Sequence, residues 1–250
     1  MIELNRILGA NYFIFYNFSD APNVDKLLKH YMDLGIAKVI QWHLPFNVSI
    51  GLYRKSNEIH YYGQVAVLND CMYRNKGSSQ FVVNQDIDEF IIPRMHNNWK
   101  QMIDALPKNL KSFIFQSTYF RKDWPDVNGT FDGVLAKKYM SITLPKQSRE
   151  TGLFPVKIKS KYIVRPECVK IAGIHVVHQY TKVKKCQDYL VNVDQGLLHH
   201  YRSKVERVEV YATVDTRIEN FKDKLLENLK EKWTELKHVP MTIPKTTTMT

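Results

Sequence analysis

The sequence predicts an α/β protein, a mostly parallel sheet with helices on both faces. Three observations carry this. Through the first third of the chain, apolar runs of strand length alternate with amphipathic stretches of helix length. The length of 250 residues fits one α/β domain. Hydrophobic residues make up 44% and charged residues 24%, enough to fill a core, which excludes a wholly disordered chain.

Glu3 to Leu8 reads as the end of a helix, with Gly9 as its stop. Tyr12-Phe-Ile-Phe-Tyr16 is a continuous apolar run, the mark of a buried strand. Asn23 caps a helix over Val24–Leu34, in which Val24, Leu27, Leu28, Tyr31 and Leu34 recur at helical spacing before Gly35 ends it. Ala37–Trp42 is the next strand. Tyr62–Tyr73 reads as a helix, Gly77-Ser-Ser as a turn and Gln80–Asn84 as a strand. Strands that return through helices run parallel. Beyond Asp86 the pattern changes. Trp99–Ala105 is a short helix and Lys111–Phe120 one aromatic strand. Residues 121–160 lack periodicity and read as loops over a site. Tyr162–Arg165 and Val169–Tyr180 are strand-like. Asp215–Lys237 is an amphipathic helix with Ile218, Phe221, Leu225, Leu229, Trp233 and Leu236 on one face. The expected organisation is a main domain over 1–205, a carboxy-terminal helical region over 206–238 and a disordered tail over 239–250. The chain opens inside a helix, whereas an α/β sheet usually opens with a strand whose following loop helps to form the ligand site.

The formal net charge of +11 favours anionic partners. The lysines and arginines are scattered, however, and no nucleic-acid-binding motif is present, so nucleic acid is not expected as a partner. No apolar run reaches the ~18 residues of a membrane span. Cys71, Cys168 and Cys186 form no Cys-x-x-Cys pair, which argues against structural zinc and leaves room for one disulfide and one free thiol. Sequons at Asn17, Asn47 and Asn128 lean towards the secretory pathway, although an Asn-rich chain produces some by chance.

The sharpest local signal is Phe81-Val-Val-Asn-Gln-Asp86-Ile-Asp88-Glu89-Phe90. Three carboxylates stand at the carboxyl end of an apolar strand, where open α/β sheets bind ligands. Asp86 and Asp88 project to one side of an extended backbone. Anions this close repel one another unless a cation neutralises them, and oxygen ligands favour Mg²⁺ or Mn²⁺. Such an ion keeps positions open for phosphate oxygens, so the motif points to a metal–diphosphate site. An aspartyl phosphotransferase would want Thr or Val after the second Asp, where Glu89 and Phe90 stand.

Asp86-Ile-Asp-Glu-Phe-Ile-Ile-Pro93 resembles the Asp-x-Asp block of glycosyltransferases with the GT-A fold, and of glycosyltransferase family 92 in particular. Gly63–Arg74, with Asn69-Asp70-Cys71 and Arg74, resembles the family's preceding helix. Lys161-Tyr-Ile-Val-Arg-Pro166 with Gly173-Ile-His175 resembles its later strands, and Leu197-Leu-His-His-Tyr-Arg202 its closing motif. The resemblance implies transfer of a hexose, galactose foremost, from a UDP-sugar donor to a glycan or glycoprotein acceptor, with Mn²⁺ (or Mg²⁺) as cofactor. It implies a Golgi luminal domain, with the family's first strand and membrane anchor both preceding residue 1. By the same resemblance Asp88 binds the metal, Asp86 binds metal or donor ribose, and Glu89 orients them. A non-catalytic relative that binds a glycan or nucleotide is the rival.

GT-A enzymes often complete the metal shell with a late histidine, which makes His200 the third expected ligand; His199, its neighbour, faces elsewhere. If this stretch is helical, His200 and Lys204 share a face, and Lys204 could meet a diphosphate oxygen. Arg165 and Arg74 are further donor-binding candidates; Lys161 reads rather as solvated on an alternate face, and His175 either as a core histidine bonded to backbone or as an acceptor or metal residue. Inverting transfer needs a carboxylate base. Glu150, Glu167, Asp188 and Asp194 lie between the acidic motif and the late histidine, and the sequence does not choose among them. The stretch Ser117–Trp124 could stack on an acceptor sugar or simply pack a strand end.

Overall fold

A computed structural model describes residues 1–19, 21–44, 48–49, 59–182, 185–203 and 211–237. The chain begins with α1 (Ile2–Leu8), closed by Gly9 at φ 118°, a left-handed turn that glycine adopts without cost. Strand β1 (Phe13–Asn17), α2 (Pro22–Asp33) and β2 (Ala37–Gln41) form a β-α-β unit with parallel strands. Pro22 opens α2 at a position where its missing N–H costs nothing. Short pieces β3 (Val48–Ser49) and β4 (Ile59–His60) pair in parallel and lead into α3 (Gln64–Arg74).

Two larger sheets carry the rest. The four-stranded sheet has the order β13-β7-β10-β5, from β5 (Val82–Asn84), β7 (Ser112–Phe115), β10 (Lys161–Val164) and β13 (Tyr189–Leu190). The five-stranded sheet has the order β15-β9-β8-β14-β6, from β6 (Glu89–Pro93), β8 (Ser117–Arg121), β9 (Ser148–Glu150), β14 (Gly196–Arg202) and β15 (Ala212–Val214). A hairpin of β11 (Val169–Ala172) and β12 (Val177–Tyr180) stands beside them. Helix α4 (Trp99–Ala105) is capped by the Asn98 side chain and α5 (Gly133–Lys138) by Asp132. A 3₁₀ turn over Thr216–Phe221 runs into α6 (Lys222–Glu235).

The α/β class holds, but the mostly parallel sheet does not. Among the described residues six of the ten strand pairings are antiparallel, including β10 with both its neighbours and β14 with β6. Other expectations also change. Lys111–Phe120 is two strands, broken at Gln116, that enter different sheets. The span 121–160 contains α5 and β9. The His199-His200 segment is the interior strand β14 rather than a helix. Within the 206–238 region, Ile218, Phe221, Leu225 and Leu226 belong to the same core as Leu4, Phe90, Phe115 and Leu198, and Asn228 donates to Glu3 of α1 at 3.0 Å. The expected tail over 239–250 lies outside the described residues.

A second buried cluster joins Met72 of α3 to Tyr162, Val164, Val169 and Val177. It includes the disulfide Cys168–Cys186, with Cα atoms 5.2 Å apart; Cys71 is a free thiol. No helix among the described residues is long and apolar enough to cross a membrane.

Candidate active site

Asp86, Asp88 and Glu89 lie on the tight turn that links the four-stranded sheet to the five-stranded one. The turn is closed on itself: Glu89 N–H donates to the Asp86 carbonyl at 3.1 Å, and Asp86 N–H donates to Glu89 Oε2 at 2.9 Å. β6 is buried along its whole length, and Glu89, its first residue, is only 1% exposed. Burial pushes the Glu89 carboxyl pKa up, opposed mainly by the nearby Lys161 charge.

Two cations or potential cations face these carboxylates. Lys161, at the head of β10 and 1% exposed, places Nζ 3.0 Å from Asp86 Oδ1 and 3.4 Å from Glu89 Oε2. His200 arrives from β14, whose antiparallel register with β6 sets it opposite Glu89. Its Nδ1 lies 3.2 Å from Glu89 Oε1 and its Nε2 3.5 Å from Asp88 Oδ2. The Tyr201 N–H donates to the Asp88 carbonyl at 2.9 Å and fixes the turn to the strand. The hydrogen bond with His200 holds the Asp88 carboxyl below the usual carboxylate range. Tyr119 of β8, in parallel register with His200, meets its ring edge-on at 4.9 Å between centroids. Lys159 donates to the Tyr119 hydroxyl and stands over the rings of Tyr119 and Phe154. Within the Ser117–Trp124 stretch, Tyr119 thus lies beside the site.

The structure brings Asp88 to His200 and Asp86 to Lys161, and sends His199 to the opposite face of the sheet, as strand alternation requires. His199 is wholly buried, stacked on Phe120 at 4.0 Å, with its pKa pushed down to about 3 by burial. His175 accepts or donates at Nδ1 to the Ser160 carbonyl at 3.2 Å, and burial lowers its pKa. The reading of Lys161 as solvated is corrected: β10 has no solvated face, and the ammonium supplies part of the positive charge the three anions require. That role escaped sequence reasoning, although a single charge heading an apolar run was its signal.

The remaining candidates separate by place. Arg165 follows β10 at the end away from Lys161 and lies over the Phe81 ring, four residues or about 13 Å along the strand. Arg74 pairs with Asp70 at 2.6 Å on α3, and Asp70 in turn accepts from Tyr16 of β1. Lys204 lies outside the described residues. Among the possible bases, Glu167 accepts from Gly77 N–H. Asp194 sits in the turn before β14, at the opposite end from His200. Asp188 accepts from the Tyr180 hydroxyl. Glu150 pairs with Arg121 at 2.9 Å, and Arg121 shares a strand face with Tyr119. Of the four, Glu150 therefore stands on the His200 face of the five-stranded sheet.

Two carboxylates and an imidazole nitrogen suit a divalent ion of the Mn²⁺ type. With Asp86 turned onto Lys161, no three His, Cys, Asp or Glu side chains among the described residues stand close enough to hold one in this geometry.

The model of the family described as glycosyltransferase family 92 matches residues 1–247. The chain belongs to glycosyltransferase family 92. The match runs past the acidic turn and β14 and takes in α6, in keeping with the shared core. Beta-1,4-galactosyltransferase galt-1 of Caenorhabditis elegans is 24% identical over 209 residues, covering 81% of this chain and 43% of that protein. The chain thus spans less than half the length of this curated relative.

Proposed function

We propose that this family 92 chain moves a hexose, galactose foremost, from a UDP-sugar donor to a glycan or glycoprotein acceptor, with Mn²⁺ (or Mg²⁺) and with inversion. The observation that carries the reading is the pairing of Asp88 with His200 beside Asp86, on a turn anchored by buried Glu89 and Lys161. Asp88 and His200 would hold the ion, with Asp86 as third ligand. When bound, it would supply positive charge to the leaving diphosphate. The galactosyltransferase relative supports the choice of sugar.

In this reading the acceptor hydroxyl oxygen bonds to the anomeric carbon as the bond from that carbon to the UDP oxygen breaks. The hydroxyl proton passes to a carboxylate, for which Glu150 is the best-placed candidate. Lys161 orients Asp86 and Glu89, and the Tyr119 ring holds the His200 plane. The Cys168–Cys186 disulfide suits an oxidising compartment, which supports a secretory-pathway, Golgi luminal location.

Calorimetry of UDP with and without Mn²⁺ tests the reading. Binding should require the metal and weaken at least roughly tenfold in Asp88→Ala, the loss of one charge-assisted contact; equal affinity in the two proteins would overturn it. One observation favours a second reading: Lys161 already places a cation at Asp86, as a nucleotide- or glycan-binding module without turnover would allow. Metal-independent UDP binding with no release of UDP from UDP-galactose would select it.

A further inference from the structure

On the face of the five-stranded sheet opposite His200, two guanidinium groups converge on one carboxylate and a third arginine stands beside them. Arg94, just beyond β6, places Nη1 2.7 Å from Asp215 Oδ2, and Arg149 of β9 places Nε 3.0 Å from the same oxygen. Arg217 donates its backbone N–H to Asp215 Oδ1, while its guanidinium reaches the carbonyls of Pro93 and His96. These residues line a cleft of about 340 Å³ together with Thr216 and Asn220. Asp215 is buried, whereas Thr216 and Asn220 are exposed, so the cleft opens to solvent.

Asp215 neutralises one of the three guanidinium charges. Its oxygens are already taken up, and among the described residues Arg94 engages a partner through Nη1 alone. The cleft therefore holds two uncompensated positive charges and free donors. Burial, and after it the neighbouring Arg94 charge, holds the Arg217 pKa below its usual value. A guanidinium fork suits tetrahedral oxyanions through paired N–H donors. The volume exceeds that of a bare phosphate and admits a sugar ring beside it.

We propose that this cleft binds a phosphate or sulfate group, carried on a sugar or free in solution, at a site separate from the acidic turn. The strand β14 divides the two: His200 faces the carboxylates, and His199 packs beneath the arginine side as a neutral ring.

The test is calorimetric titration of the full chain at low salt with inorganic phosphate and with galactose 6-sulfate, against chloride. Saturable binding of one anion per chain is expected, weakened at least roughly tenfold in Arg149→Gln. Tighter binding of galactose 6-sulfate than of phosphate would assign the anion to a sugar, and equal binding would assign it to the free ion; both support the site. Thr216→Glu sets a carboxylate at the exposed rim, away from the core, and should abolish binding without lowering the melting temperature. No saturable binding of either probe, or binding unchanged in Thr216→Glu, would overturn the proposal.

Discussion

Glu89 and Asp88 are neighbours with opposite duties. Glu89 is 1% exposed and touches Lys161, His200 and the Asp86 backbone. Its truncation leaves the buried Lys161 ammonium with half-exposed Asp86 as its remaining anion. Glu89→Ala should therefore cost about 3 kcal/mol in a urea titration, since it removes the buried partner of a buried charge. The Asp88 side chain is 43% exposed. Asp88→Ala should cost less than about 1 kcal/mol, because exposed pairs stabilise little, yet it should remove metal-dependent UDP binding. The two histidines diverge in the same way. Unfolded, His199 titrates near the ordinary imidazole value of 6.5; folded, burial pushes it down to about 3. Between those values only the unfolded chain takes up the proton, so acid destabilises. Stability should fall below pH 6.5 by about 1.4 kcal/mol per unit on account of this ring. Urea midpoints from pH 7 to 5 check this, and His199→Phe, which can keep the stack on Phe120, should flatten the slope.

Elements differ in how openly the sequence announced them. Helices α2 and α4 were legible because one face is wet, which gives a 3.6-residue period. Strand β14 was not: six of its seven residues are buried, so no alternation marks it, and two histidines and a tyrosine disguise it. Strand direction was illegible for another reason, since pairing depends on distant partners rather than on local pattern. The acidic turn could be read because its three charges follow an apolar run; Lys161 could not be placed there until β10 was seen antiparallel to β5. Two predictions belong at this scale. A methyl on Gly196 would stand 2.8 Å from the Phe115 ring and 2.9 Å from Met102 sulfur, so Gly196→Ala should destabilise by about 1–3 kcal/mol through overpacking, read by thermal melting. The Cys168–Cys186 bridge, at a sequence separation of 18, closes a loop that contains the β11–β12 hairpin. Its removal, by Cys168→Ser with Cys186→Ser, should cost about 3 kcal/mol, measured as the denaturant midpoint against the parent under non-reducing conditions.

Across the whole molecule, the five-stranded sheet separates two charged clusters. Asp88 and Glu89 meet His200 and Lys161 on one side, and Arg94 and Arg149 meet Asp215 on the other, within a chain of net charge +11. Ligands for the two faces should act independently. UDP with Mn²⁺ at a hundredfold excess over its dissociation constant should add about 2.7 kcal/mol of stability, seen as a raised melting temperature in the parent and absent in Asp88→Ala. Thr216→Glu should leave that shift unchanged.

The adjacency of His199 and His200 makes β14 a reading frame. Every residue of the strand is assigned to one face by parity alone, and parity is global to the strand. A single residue inserted between Leu198 and His199 would carry His199 into the place now held by His200 and turn His200 and Tyr201 over together. Substitutions on either face can be repaired one at a time, but a change of length by one cannot, because it exchanges the two faces at once. The short connection from Asn192 to Gln195, closed by backbone hydrogen bonds onto Asn192, is thus the point at which both surfaces of the sheet are kept in phase.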